Sequence, residues 1–150
     1  MTTLNNEITI NATIDKIFQA LAEMEGLEKL DPNVKKSTSI SDIKSGINAK
    51  RKVDMIDGKN WFEEKVTDFK PNESLTYELI ACSFPVKNLK YTYTLEKLGN
   101  QTKVKQAMAY EIKFGVLGKI LDALMIRKQY NKGIQGFFIG LKSFAENNNN

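Results

Sequence analysis

The chain has 150 residues, 41% hydrophobic and 27% charged, a balance that suits one folded domain with its own core and excludes a disordered chain. The formal charge of +4 is spread over lysines interleaved with glutamates, and no groove-reading motif accompanies it, which speaks against DNA as a partner. No apolar run reaches the ~18 residues of a membrane span, the first residues lack the basic-then-apolar layout of a secretion signal, and the lone Cys82 cannot close an internal disulfide, so the expected location is cytoplasmic.

Glu7 to Asn11 alternates, with Ile8 and Ile10 on one side, and predicts a strand. Thr13 is placed to cap a helix with Asp15 in its first turn, and Ile14, Ile17, Phe18, Leu21 and Ala22 form its buried stripe. Gly26 interrupts it, and a second short helix around Leu27 to Leu30 ends at Asp31-Pro32, because the residue before a proline avoids helical geometry. From Val34 the hydrophobic period drops to two. Strands are predicted over 34–41 and 47–56, then, after Asp57-Gly58, over 60–69, 75–82, 89–98 and 102–114. Gly118 to Glu146 predicts one long amphipathic helix with Tyr130, Ile134, Phe137, Phe138, Leu141 and Ala145 on a single stripe. Gly133, Gly136 and Gly140 each weaken that helix by ~1 kcal/mol relative to Ala, which points to a close neighbour or to room left for one. One α+β domain over 1–146 is expected, with Asn147 to Asn150 as a disordered tail.

If Asp57-Gly58 is a two-residue hairpin loop, Ile56 opposes Lys59, Val53 opposes Phe62, Arg51 opposes Glu64 and Ala49 opposes Val66. Opposed residues share a face. One face then carries Ala49, Val53, Met55, Phe62 and Val66, with Arg51 and Glu64 embedded in it; the other carries Lys50, Lys52, Glu63 and Lys65, with Trp61. Leu75, Tyr77, Leu79 and Ala81, then Leu89, Tyr91, Tyr93 and Leu95, then Val104, Gln106, Met108, Tyr110 and Ile112 extend the inner face. A sheet with one wet side must cover the other, and the C-terminal helix is the obvious cover.

Catalytic chemistry finds little support. The chain has no histidine, the commonest general base and metal ligand, and no metal-ligand spacing or phosphate-binding glycine loop. Cys82 has no histidine to activate it and reads as an ordinary strand thiol. Arg51 and Glu64 read as a cross-strand ion pair near the rim, worth ~0.2–1 kcal/mol; as an inward pair at a pocket wall, Arg51 would instead anchor a carboxylate or enolate-like oxygen.

This arrangement resembles the polyketide cyclase/dehydrase-like branch of the START-related (SRPBCC, helix-grip) superfamily. The resemblance rests on the run from Ile8 to Phe18, on Leu30-Asp31-Pro32-Asn33-Val34, on Thr67 to Leu75, and on Gly115 to Leu121 with Leu141 to Phe144. Leu30 departs from it, standing where such proteins often have a tryptophan. The resemblance implies a curved seven-stranded antiparallel sheet, two short helices after strand 1, and a long C-terminal helix over an apolar cavity. It further implies binding of a small hydrophobic molecule such as a lipid, polyketide or quinone, with transport or sequestration as the role. Residues expected to line the cavity are Arg51, Val53, Met55, Phe62, Glu64, Tyr77, Leu79, Tyr91, Tyr93, Gln106, Met108, Tyr110, Ile134, Phe137, Phe138 and Leu141. No catalytic residue, metal or cofactor is expected. Two alternatives stand beside this reading: a cyclase/dehydratase using Glu64 or a tyrosine as acid–base with Arg51 at an oxyanion, and a module whose basic outer face docks a protein or RNA.

Overall fold

The computed structural model describes residues 1–147. They form β1 (Thr2–Ile10), α1 (Ile14–Ala22), a 3-10 turn (Leu27–Lys29), β2 (Val34–Ser39), β3 (Lys50–Met55), β4 (Trp61–Lys70), β5 (Ser74–Cys82), β6 (Val86–Leu98) and β7 (Gln101–Ile112). The C-terminal segment runs through α2 (Gly115–Leu121), a π turn (Asp122–Ile126) and α3 (Arg127–Asn147). The described strands make a seven-stranded antiparallel sheet in the order β1-β7-β6-β5-β4-β3-β2, so the first strand pairs with the last.

The strand alternation works as anticipated. Ala49, Val53, Val66, Leu75, Tyr77 and Val104 are buried on the inner face, while Lys50, Glu78, Lys90 and Lys105 stand in solvent on the other. Helix α1 buries Ile17, Phe18, Leu21 and Ala22, with Ile14 half-buried, and Phe18 meets Phe69 edge-on at 5.2 Å. Thr13 stands at the N-cap position, but its side chain makes no capping hydrogen bond. Helix α3 buries Ile134, Phe137, Phe138, Leu141 and Ala145, each large side chain worth roughly 1.5–3 kcal/mol of burial. It lies against β1 and α1, tied by Lys16 Nζ to the Ala145 carbonyl (2.9 Å) and by Asn6 Nδ2 to Asn131 Oδ1 (3.0 Å).

Several expectations are corrected. The turn after β3 spans four residues rather than two: Met55 N–H donates to the Asn60 carbonyl, and Ile56 N–H donates instead to Asn33. Asp57 Oδ1 accepts from the Lys59 and Asn60 amides, a local arrangement that replaces the tight loop yet preserves the register, with Val53 opposite Phe62 and Arg51 opposite Glu64. In β5 a bulge puts Cys82, not Ala81, opposite inward-facing Phe62. The second short helix stands where it was expected, as a single 3-10 turn. Asn147, assigned to a disordered tail, closes α3, its side-chain amide donating to Ser143 Oγ at 3.1 Å; residues 148–150 lie outside the described residues.

The long helix also begins earlier and is not uniform. Gly118, Asp122, Ile126, Tyr130 and Ile134 face the sheet at steps of four, and such steps run ahead of a 3.6-residue turn. The π turn, in which Arg127 N–H reaches back five residues to the Asp122 carbonyl, takes up that lead and keeps one stripe facing inward.

Candidate functional site

Strand pairing sets the inward residues in rows across the sheet. One row carries Leu75, Tyr93, Gln106 and Asn6; the next Val66, Tyr77, Tyr91, Met108 and Leu4. Beyond these, Arg51, Glu64 and Leu79 are aligned on one side and Leu89, Tyr110 and Thr2 on the other, a third row whose β5–β6 pairing ends one residue earlier at Glu78 and Lys90. Helices α1 and α3 seal the first row and most of the second. Toward the third row the cover thins: Leu79, Leu89, Met108, Phe62 and Met55 are only half-buried, as are Ile126 and Tyr130 on the helix above.

A polar cluster stands at each flank of that apolar strip. On the β3–β4 side, Arg51 Nε donates to Glu64 Oε2 at 2.8 Å, with 4% and 1% of the two side chains exposed. This corrects the rim reading, because the pair is interior. Arg51 Nη1 donates to the Glu23 carbonyl (3.0 Å), and the guanidinium lies 4.3 Å from the Tyr77 ring centroid. Tyr91 Oη donates to the Glu64 carboxylate, 2.7 and 2.8 Å from its two oxygens, and Tyr77 Oη donates to the Leu21 carbonyl at 2.6 Å. Burial works against the charge on Arg51, but Tyr77, Glu64 and Tyr91 outweigh it and raise its pKa. Burial pushes Tyr77 up to about 12 and carries Tyr91 well above the usual phenol value, the Glu64 charge adding to the second.

On the β1–β7 side, Tyr110 Oη donates to Asp122 Oδ1, Thr2 Oγ1 donates to Asp122 Oδ2 at 2.5 Å, and Arg127 Nη2 lies 3.7 Å from the same oxygen. Burial opposes ionisation of Asp122, yet the Thr2 and Tyr110 hydrogen bonds and the Arg127 charge leave its pKa below normal. Tyr110 is raised to about 12 by burial and by Asp122. Asp122 was not anticipated; an acid among apolar residues at the sheet-facing step of the helix was its sequence signal.

From the Arg51–Glu64 cluster an aromatic chain runs to the C-terminal helix. Tyr77 stacks on Tyr91 (5.3 Å), Tyr91 meets Tyr93 edge-on (5.6 Å), and Tyr93 reaches Phe137 (6.0 Å), which touches Phe138. Gln106 is 4% exposed and stands opposite Tyr93, and its Oε1 is buried with no hydrogen-bond partner among the described residues. A buried acceptor left unpaired costs about 1–3 kcal/mol. Of the expected lining, Arg51, Glu64, Tyr77, Tyr91, Tyr93, Gln106, Met108, Phe137 and Phe138 lie around this chain, with Leu79 and Tyr110 in the row beyond. Val53, Ile134 and Leu141 are buried in the surrounding packing, while Met55 and Phe62 stand toward the β3–β4 turn, Phe62 against Phe84. Leu89, Cys82 and Tyr130 also reach this region without having been assigned to it. A separate depression of about 410 Å³ lies at the β3–β4 turn between Lys36, Lys59 and Trp61. Of the expected residues it touches Met55; its lysine-rich wall and distance from the buried polar groups make the inner face the better candidate.

A family model described as polyketide cyclase / dehydrase and lipid transport matches residues 1–146. No curated protein sequence matches the chain. Among solved structures, a START superfamily protein from Mycobacterium smegmatis superposes with a TM-score of 0.80 at 15% identity, over 97% of each chain. A protein from Thermus thermophilus gives 0.82 at 14% identity, over 99% of this chain and 100% of that one. The di-domain ARO/CYC protein BexL, from the BE-7585A biosynthetic pathway, gives 0.77 at 14% identity, over 95% of this chain and 45% of its own. At such identities the likeness is one of fold.

Proposed function

The chain belongs to the polyketide cyclase/dehydrase and lipid transport family, and from that premise we propose that it holds a small hydrophobic molecule between the inner sheet face and the C-terminal helix. Family and fold fit a hydrophobic-ligand or cyclase/dehydrase-type role. The observation that carries the binding reading is the unpaired Gln106 Oε1, a buried acceptor waiting for a donor. A hydroxyl or N–H on an otherwise apolar molecule satisfies it, while Met108, Leu79 and Leu89 supply apolar contact worth about 25 cal/mol per Å² removed from water. Half-buried Leu79 and Leu89, between the two buried polar clusters of the third row, mark the side from which such a molecule enters.

The acid–base alternative is disfavoured at Glu64. Its side chain is 1% exposed and its carboxylate is held by Arg51 and Tyr91, so a substrate proton meets a group closed to solvent and already engaged within the protein. The Arg51–Glu64 pair instead stiffens the wall against which a ligand rests.

Organic extraction of natively purified protein, followed by mass spectrometry, tests the proposal. The expected result is a co-purifying apolar molecule bearing a hydrogen-bond donor, lost in Met108→Arg and retained in Lys103→Ala. An empty extract, together with no uptake of sterols, hydroxylated aromatics or quinones, would overturn it.

A further inference from the structure

We propose that α2 and the π turn form an interfacial anchor that seats the protein on an anionic lipid bilayer, an inference that does not rest on the ligand reading. Val116, Leu117, Ile120, Leu121, Leu124 and Met125 are all exposed, Val116 by 75% and Leu124 by 72%. They lie on the side of the segment away from the sheet, since Gly118 and Asp122 face inward and are buried. The solvent side of a helix ordinarily carries charge; here it carries a continuous aliphatic stripe. Phe114, 65% exposed, and Pro85 of the neighbouring β5–β6 loop extend it, the loop being joined by the hydrogen bond from Lys113 N–H to the Pro85 carbonyl.

Charge decides what covers this stripe. Lys113, Lys119, Arg127, Lys128 and Lys132 flank it, and the one acid between residues 113 and 132, Asp122, is turned inward onto Tyr110 and Thr2. A second copy docked face to face would bring two sets of cations together with no exposed acid in the segment to pair them. A bilayer containing anionic lipid offers hydrocarbon for the aliphatic stripe and negative headgroups for its basic flanks at the same depth. No described helix is long and apolar enough to cross a membrane, so the segment would lie in the interface plane.

Vesicle flotation tests this with phosphatidylcholine alone and with phosphatidylcholine containing about one third phosphatidylglycerol. The purified protein is expected to float with the anionic vesicles at low salt and to bind them roughly tenfold more tightly than neutral ones. Leu117→Asp with Leu124→Asp should weaken that binding at least about tenfold with circular dichroism and Tm unchanged, because both side chains are in solvent. Lys119→Glu with Lys128→Glu should remove the preference for anionic lipid. Absence of flotation with either vesicle would overturn the proposal, as would binding indifferent to the leucine changes. A lipid-independent dimer abolished by those leucine changes, with no vesicle binding, would assign the stripe to a second copy instead.

Discussion

Arg51 and Glu64 meet across β3 and β4 at 2.8 Å with almost no solvent access to either. Desolvating two charges is costly, and the pair is maintained because Tyr91, Tyr77 and the Glu23 carbonyl complete its coordination. Removing one partner strands the other. Glu64→Leu or Arg51→Met alone is expected to lower stability by about 3–5 kcal/mol, whereas the double variant recovers most of the loss. Urea denaturation of the four proteins checks the cycle.

Gln106 should trade stability against binding. In Gln106→Met the unpaired acceptor disappears, a gain of about 1–3 kcal/mol. The ligand-free variant is therefore expected to be about 1–3 kcal/mol more stable than the parent, with weaker retention of a co-purified molecule. Thermal melts beside extraction yields measure both sides.

The buried tyrosines make the fold sensitive to alkali. The folded state raises Tyr77 from 10.0 to about 12, so folding favours the neutral phenol. That contribution is fully present below the unfolded pKa near 10 and is lost as pH rises through about 12. Melting temperature should fall across this window, less steeply in Tyr77→Phe, as a pH series of scanning calorimetry would record.

Two glycines of α3 should respond in opposite directions to the same substitution. A Cβ at Gly140 would overlap the Leu30 carbonyl, so Gly140→Ala must push the helix off the 3-10 turn and is expected to cost about 3 kcal/mol. A Cβ at Gly133 meets nothing within 4 Å, and Gly133→Ala should stabilise by about 1 kcal/mol through helix propensity. Chemical denaturation of the two variants gives the sign and size of each.

Those glycines also mark what the sequence could and could not convey. Their spacing signalled a close neighbour or a gap, and only coordinates separate Gly140, pressed on Leu30, from Gly133, which is open. The alternation of β3 and β4 made the Arg51–Glu64 pairing readable because side-chain period and register are locked together. Its depth was not readable, since nothing local reports that α1 brings the Glu23 and Leu21 carbonyls over the sheet. The β5 bulge that exchanges Ala81 for Cys82 is one inserted residue with no compositional mark. The π turn was written in the four-residue steps from Gly118 to Ile134, a pattern easily taken for an ordinary helical stripe.

The pairing of β1 with β7 places a demand on how the chain reaches this shape. Thr2 finds its partner in Tyr110, so the strand made first waits for more than a hundred residues before its ladder can close. Contacts of such long sequence separation are slow to form, and until β7 arrives the edges of β1 and β6 both stand open to foreign strands. During synthesis the period before β7 emerges is therefore when the chain is most exposed to aggregation, and when a chaperone would serve it best.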